Sequence, residues 1–480
     1  MHNSRSTTKA AAIQMSMHDS SFHSTASADR RSHSGSSTFF SNTPTLLASI
    51  VLFALALRLV VVFFAVHGSG HTIHDSNFGW ESWEMGWTAR SLYLGQGFSS
   101  PFLPITGPTA LVPPLYPFII ATAFRIFGLY TTAAAFAVLG FNSLCSALTC
   151  IPLFFLVRRA INLRSARIAA IAWALYPFSV YFSADRVWDY ALTALLFTTC
   201  LLLAQQLHRG SYLSWTGFGA LYGIAALSNP SVVSLLPFLL LIAIFQMHKQ
   251  HDRWFGKALL ASVAFILVCT PWTLRNDRVM HAHFFLRDGF WEEAYAGNNG
   301  DTTASNTSFT HPASSSSEMQ RYQQLGEIAY MANKRHLAVD FITHHPRFFA
   351  IASLRRILRF WTGYWSFQPN YLKYEPMDLP NVPFCIFLTI FMVRGLLQWW
   401  RRDRRASLPY LIALLVFPIP YYLTHSSTDY RQPIEPIIVI FVTIGLFGLS
   451  ARQRSTATVS NNTDLAAGEA ESPARDAVLV

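Results

Sequence analysis

The chain has 480 residues and a formal net charge of +11, yet only 13% of its residues are charged and 52% are hydrophobic, with 39 Phe and 13 Trp. A soluble domain carries about 25% charged residues, so this composition argues against an ordinary soluble fold. It points to an all-α polytopic membrane protein, with apolar runs close to the ~20 residues a spanning helix needs. The basic excess lies in short loops, as the positive-inside rule describes, which sets aside the nucleic-acid partner that such a charge would suggest in a soluble protein.

Residues 1–43 are rich in Ser and His and poor in large apolar side chains, the composition of a disordered cytoplasmic tail. The histidines there (His18, His23, His33) read as solvated rather than metal-binding. An apolar run at 44–66 opens an N-terminal transmembrane module, 44–275, which includes a first outer loop at 67–130. Further spans are expected at 131–157, 166–186, 189–207, 213–228, 231–247 and 257–275. A large loop, 276–382, precedes spans at 383–400, 407–424 and 432–450, and a second disordered tail occupies 451–480. The total is about ten.

Arg158, Arg159, Arg164 and Arg167 crowd one short loop, and Arg401, Arg402, Arg404 and Arg405 crowd another. Both should be cytoplasmic. Counting crossings then puts both termini inside, provided 113–128 does not cross. Its paired prolines and Arg125 fit an interfacial or re-entrant helix, tolerable where protein covers it. The first loop, the large loop and short turns near Asp185–Trp188, Ser228–Pro230 and His425–Arg431 then share the outer face. In the large loop, 297–317 is polar and irregular, while 318–364 repeats apolar residues at three- and four-residue spacing, as on an amphipathic helix. Arg355, Arg356 and Arg359 would be costly in mid-bilayer, so that part is expected to lie in the interface.

Three outer segments could carry chemistry. The first loop offers Asp75, Glu81 and Glu84 beside aromatic residues, where lost hydration raises proton affinity and suits a general base. Ordinary solvated loop charge is the plainer reading of the same acids. Asp189 heads a helix running inward, either stabilising that end or acting on a substrate, and Asp185 could serve in its place. Tyr430 and Arg431 stand at the mouth of the last span, where a guanidinium either holds a lipid phosphate through paired hydrogen bonds or anchors the interface. Arg355 and Arg356 have the same two readings. Arg58, inside the first span, should face the bundle interior. The five cysteines lie in apolar segments without metal-like or CxxC spacing. No Walker loop, HExxH, GxSxG or dinucleotide fingerprint occurs.

The runs EMGWTARSLYLGQGFSSPF and GPTALVPPLYPFIIATAFRIFGLY resemble bacterial membrane glycosyltransferases of the GT-C superfamily, relatives of the protein O-mannosyltransferases and the lipid A aminoarabinose transferases. WALYPFSVYFSADRVWDYALTALL, CTPWTLRN, the GNN of the large loop and YYLTHSSTDYRQPIEP extend the likeness over about 45–450. It implies a GT-C-like bundle with interfacial helices and a large periplasmic loop, in a bacterial inner membrane. It also implies transfer of a sugar from a polyprenyl-phosphate donor to a lipid, glycan or protein acceptor at the outer face, with inversion. By local match Glu84 takes the position of the essential first-loop acid and Asp189 that of the second. The Asp-Glu pair of better-known relatives is absent, which leaves Asp75 and Glu81 as alternatives to Glu84. Tyr430 and Arg431 match the phosphate side, with Arg355 or Arg356 assisting. Asp189 either orients the acceptor or shares a divalent metal cation with the first acid. A flippase for lipid-linked saccharides is the competing reading, disfavoured because polar residues gather at the outer surface and most spans look dry.

Overall fold

The computed structural model describes residues 43–67, 84–300, 310–373 and 376–449. The expected tails therefore lie outside the described residues except for Thr43, as do Asp75 and Glu81. From Leu47 onward the chain folds as one unit; the preceding unit contributes only 43–46, the start of the first helix. Helices and loops make up the described residues, with one isolated bridge between Ser99 and Pro108.

The N-terminal part comprises α1 (Thr43–His67), α2 (Glu84–Tyr93), α3 (Leu115–Phe127), α4 (Thr132–Leu148), α5 (Cys150–Ala160), α6 (Leu163–Leu175), α7 (Pro177–Ala184), α8 (Tyr190–Ala204), α9 (Tyr212–Ser228), α10 (Leu236–Lys249) and α11 (Phe255–Met280). The large loop holds α12 (Phe290–Gly297), α13 (Ser316–Leu325), α14 (Glu327–His344), α15 (Pro346–Thr362) and the short α16 (Pro369–Leu372). The C-terminal part is α17 (Asp378–Arg402), α18 (Arg404–Val416), α19 (Ile419–Leu423) and α20 (Glu435–Phe447).

Seven helical stretches among the described residues are long and apolar enough to cross a bilayer, fewer than the ten expected. The difference has a local cause in each missing case. The run 166–186 is broken between α6 and α7 at Pro177, which has no N–H to continue the ladder. The runs at 189–207 and 213–228 become α8 and α9, of 15 and 17 residues. At 13 residues α3 rises about 20 Å, short of the ~30 Å hydrocarbon core. The chain is a multi-pass membrane protein whose bundle mixes full-length helices with broken and short ones.

The break at Pro177 leaves carbonyls that need donors. Arg58 supplies them: Nη1 donates to Ala174 O at 3.0 Å and Nη2 to Trp173 O at 3.2 Å. Its remaining reach goes to Ser146 Oγ at 2.9 Å and Ser179 Oγ at 2.7 Å. Arg58 is fully buried and faces the bundle interior, as its cost in lipid requires.

Close helix pairs rest on glycine. A Cβ on Gly219 would run into the Ala261 carbonyl, which lets α9 lie against α11. Gly395 and Gly445 do the same for α17 and α20, each backed by a backbone carbonyl of the other helix. Apart from the helix interiors, two side chains pin the first loop. Arg275, at the loop end of α11, donates to Thr109 O at 2.7 Å and Phe98 O at 2.6 Å. From α14, Glu327 accepts from Thr109 Oγ1 at 2.5 Å and Ala110 N at 2.6 Å. The segment leading from α2 to α3 is thus held between a membrane helix and the large loop.

Gly395→Val should force α17 and α20 apart. Overpacking of this kind costs about 1–3 kcal/mol, read as a lowered thermal midpoint of the purified protein in detergent. An unchanged midpoint would contradict the packing described here.

Candidate functional site

α12 is only eight residues long, but its first turn carries adjacent acids, Glu292 and Glu293, where a helix N-terminus favours negative charge. Each acid meets a histidine from a different part of the chain. His311, from the large loop, places Nε2 3.1 Å from Glu84 Oε1 and 3.4 Å from Glu292 Oε1. His425, from the turn before α20, places Nδ1 2.8 Å from Glu293 Oε2. Its other nitrogen, Nε2, is 2.6 Å from the Tyr430 hydroxyl. Arg287 reaches Glu293 at 3.8 Å and is about a third exposed. The result is a chain of contacts, Glu84–His311–Glu292 on one side of α12 and Glu293–His425–Tyr430 on the other.

The charges along it are uneven. Burial pushes Glu292 up to about 7, with Glu293 and Glu84 adding to the rise and His311 opposing it. Burial acts upward on Glu293 as well, but His425 and Arg287 outweigh it and hold that carboxyl down at about 2. Desolvation works against charge on His311, yet Glu292 and Glu84 lift it to about 10. The Ala313 N–H lies 3.2 Å from His311 Nδ1, a contact suited to the neutral ring. Two carboxyls against one long backbone contact favour the imidazolium.

Asp189, at the head of α8, is buried on the far side of the same region. Its Oδ2 accepts from Thr193 Oγ1 at 2.7 Å and Asn229 Nδ2 at 3.2 Å, while Oδ1 has no partner. Arg287 acts on it electrostatically, and so does Tyr421, which stacks on Tyr430 at 4.8 Å and 6°. Asp185 is turned to a half-exposed pairing with Arg186 at 3.7 Å. Among the described residues no group of three or more His, Cys, Asp or Glu is placed to hold a metal ion.

The arginines expected to bind phosphate fare differently. Arg431 is fully buried and turned inward. Its Nε pairs with Glu435 at 2.5 Å, Nη1 donates to Phe360 O at 3.1 Å and Trp361 O at 3.3 Å, and Nη2 meets Cys385 Sγ at 3.6 Å. Tyr176 donates to the other oxygen of Glu435 at 2.7 Å. With every nitrogen engaged inside the protein, this geometry does not support a phosphate role for Arg431. Arg356 is likewise committed, donating to the Gly297 carbonyl, to Asn298 Oδ1 at 3.1 Å and to Leu423 O at 3.2 Å. Arg355 is exposed. Arg359, buried beneath Trp365 at 5.3 Å, keeps an unpaired Nη1 and acts on Asp429, as does Arg186.

The structure therefore brings Glu84 and Tyr430 into one network with Asp189 nearby, and leaves Arg431, Arg355 and Arg356 outside it. Sequence reasoning missed His311, Glu292, Glu293, His425 and Arg287. His425 lay inside a segment already singled out, and the two glutamates stand just before the GNN run; nothing in the sequence marked His311.

Residues 111–274, about a third of the chain, match the family model described as dolichyl-phosphate-mannose-protein mannosyltransferase. No curated protein matches the sequence. Among solved structures, the oligosaccharyltransferase of Archaeoglobus fulgidus tethered to an acceptor peptide is similar over 84% of this chain and 49% of that one, with 13% identity and a TM-score of 0.51. The same organism's AglB with an inhibitory peptide and a dolichol-phosphate gives 14% identity over 84% and 50%, with a TM-score of 0.50. ArnT from Cupriavidus metallidurans bound to undecaprenyl phosphate gives 13% over 85% and 78%, at a TM-score of 0.39 too low to carry an argument. The chain spans about half the length of the archaeal structures it matches, and at these identities the likeness shows a shared fold.

Two measurements follow from the site's electrostatics. Arg431→Gln leaves buried Glu435 without its counter-ion, which costs about 3–5 kcal/mol; the thermal midpoint should fall, and donor affinity per folded molecule should not. Because His311 is raised from 6.5 to about 10, its stabilisation is complete below about pH 6.5 and drains away as pH rises through 10. The thermal midpoint of the wild type should decline over that window and that of His311→Gln should decline less; parallel curves would refute the pairing.

Proposed function

We propose that the chain is an integral membrane glycosyltransferase that moves a sugar from a polyprenyl-phosphate donor to an acceptor at the outer face of the membrane. The observation that carries this reading is the convergence of Glu84 from the first loop, α12 from the large loop and the His425–Tyr430 turn on one contact network. The family match over residues 111–274 supports the chemistry, and one of the similar archaeal structures holds a dolichol-phosphate. Loop clusters of Arg158–Arg167 and Arg401–Arg405 support a cytoplasmic position for the opposite end of the bundle.

Glu84 serves as the general base. It takes the proton of an acceptor hydroxyl or amine, whose lone pair attacks the anomeric carbon. The bond from that carbon to the phosphate oxygen breaks on the opposite side, its electron pair stays with the phosphate, and the configuration inverts. His311 holds Glu84 in place through the 3.1 Å contact of its Nε2 with Oε1. Asp189, with one free oxygen, orients the acceptor. The partly exposed Arg287 and the unpaired edge of Arg359 supply positive charge for the phosphate in place of Arg431.

Purified protein incubated with a radiolabelled polyprenyl-phosphate sugar should release free polyprenyl phosphate. Glu84→Gln should lower that rate about 10²- to 10⁴-fold, the usual worth of a general base, while donor binding persists. Undiminished release in Glu84→Gln would remove the base. Passage of intact donor across vesicles without release would favour the flippase reading.

A further inference from the structure

We propose that α15 seats the large loop on the membrane: its outward face lies in the leaflet on the loop side, where Arg347 and Arg355 take the phosphate groups of anionic phospholipids. The helix is turned inside out. Ile351, Leu354 and Leu358 recur at three- and four-residue spacing and are 54%, 66% and 47% exposed, flanked by exposed Phe348 and Ile357. Arg356 and Arg359 point the other way and are buried. A helix bordered by water does the reverse, keeping aliphatic side chains inside and guanidinium groups out. An apolar face of this breadth marks contact with lipid or with another protein.

Depth and charge select the lipid. Thr389 Oγ1 of α17 donates to Trp361 O, near the end of α15, at 2.6 Å. Thr389 stands about 18 Å along α17 from Arg401, and the hydrocarbon layer is about 30 Å thick. With Arg401 at one edge of that layer, the contact lies about 12 Å inside the other. The turns of α15 that precede Trp361 lead toward the loops, because Arg356 ties them to the Gly297 and Leu423 carbonyls. Counted back from Trp361 along the axis, Arg355 is about 9 Å away and Arg347 about 21 Å. The two arginines therefore bracket the outer edge of the hydrocarbon, at headgroup level, and both are exposed.

Nothing acidic offsets them, since α15 carries four arginines and no Asp or Glu. A second copy pairing this face with itself would set Arg347 and Arg355 against their own counterparts, with no carboxylate on the helix to separate them. Lipid suits both halves of the face at once: acyl chains cover the aliphatic stripe, and phosphates meet the guanidinium groups. The apolar surface also continues onto α17, where Phe387, Ile390 and Leu397 are exposed. Through Arg356 on its buried side, the seated helix holds the end of α12 at a fixed height over the bundle.

The test uses the full-length protein. A nitroxide is attached at Leu354→Cys, the five native cysteines being buried, in vesicles of phosphatidylcholine and phosphatidylglycerol. Molecular oxygen, which concentrates in lipid, should relax the label, and a water-soluble nickel chelate should not. The reverse result, or shielding from both as under a protein partner, overturns the seating. In detergent, short-chain phosphatidylglycerol should raise the thermal midpoint, whereas short-chain phosphatidylcholine and inorganic phosphate should not. Arg347→Gln combined with Arg355→Gln should weaken the apparent affinity for phosphatidylglycerol about 30-fold, the worth of two basic contacts at an anionic surface. Both positions are exposed, so the lipid-free midpoint should stay near that of the wild type. An equal response to phosphatidylcholine or to inorganic phosphate, or an undiminished response to phosphatidylglycerol in the double variant, overturns the headgroup assignment.

Discussion

The site depends on a clamp built around one buried arginine. Arg356 donates to the Gly297 carbonyl at the end of α12 and to Leu423 O, which joins the large loop to the turn that leads into α20. Asn298 repeats the tie, its Nδ2 bonding Ala294 O at 2.8 Å and Leu423 O at 2.9 Å. Gly297 permits the approach, since a Cβ there would collide with the Thr424 carbonyl. A residue on either side of this joint carries reactive groups: Glu292 and Glu293 precede it on α12, and His425 follows it directly. An eight-residue helix has little stability of its own, so its acids point where the clamp sets them. Arg356 earns its burial through bonds to carbonyls, which is why replacing it with lysine, one point charge for a planar fork, would not be conservative.

The family-like motifs turn out to be joints of this kind more often than reactive groups. In CTPWTLRN, Trp272 donates to Leu286 O at 2.8 Å and Arg275 holds the carbonyls of Thr109 and Phe98. In the proline-rich run after GPTALV, Tyr116 meets Asn142, which also supports the turn at Arg186–Trp188. GNN is the clamp itself. Each joint fixes backbone whose polar groups would otherwise be buried without partners, the costly outcome that restricts irregular structure near a membrane. Short motifs separated by long apolar runs are what such joints look like in one dimension.

The spans were legible because hydropathy reports transfer from water directly, and the places where it overcounted are places where hydropathy is silent. Pro177 leaves the run 166–186 apolar while it ends the helix, and only the pairing with Arg58 shows how the broken ladder is satisfied. Among site residues, Glu84 and Asp189 were legible as acids at the mouths of helices. Arg431 was ambiguous for a physical reason: a guanidinium at a span's mouth can bind phosphate or a carboxylate with the same fork, and Glu435 stands one helical turn on. The i, i+4 spacing was present in the sequence, whereas the closure of the pocket by Tyr176, Phe360 and Cys385 was not. His311 and His425 were hidden because each contacts an acid more than a hundred residues away in the chain.

α12 also explains how one site can hold groups of opposite protonation. Consecutive residues on a helix project about 100° apart, so Glu292 and Glu293 enter different surroundings although they are neighbours in sequence. Glu292 turns toward the buried side, where desolvation and two other carboxyls push it up to about 7. Glu293 turns toward His425 and Arg287 and stays ionised far below that. Pairs of acids driven apart in this way mark where proton-accepting and proton-holding roles divide. On the Glu292 side His311 also contacts Glu84; on the Glu293 side His425 reaches on to Tyr430. A transfer that collects a proton from the acceptor and builds charge on the leaving phosphate needs both states at once. The short helix separates them by the turn of a single residue.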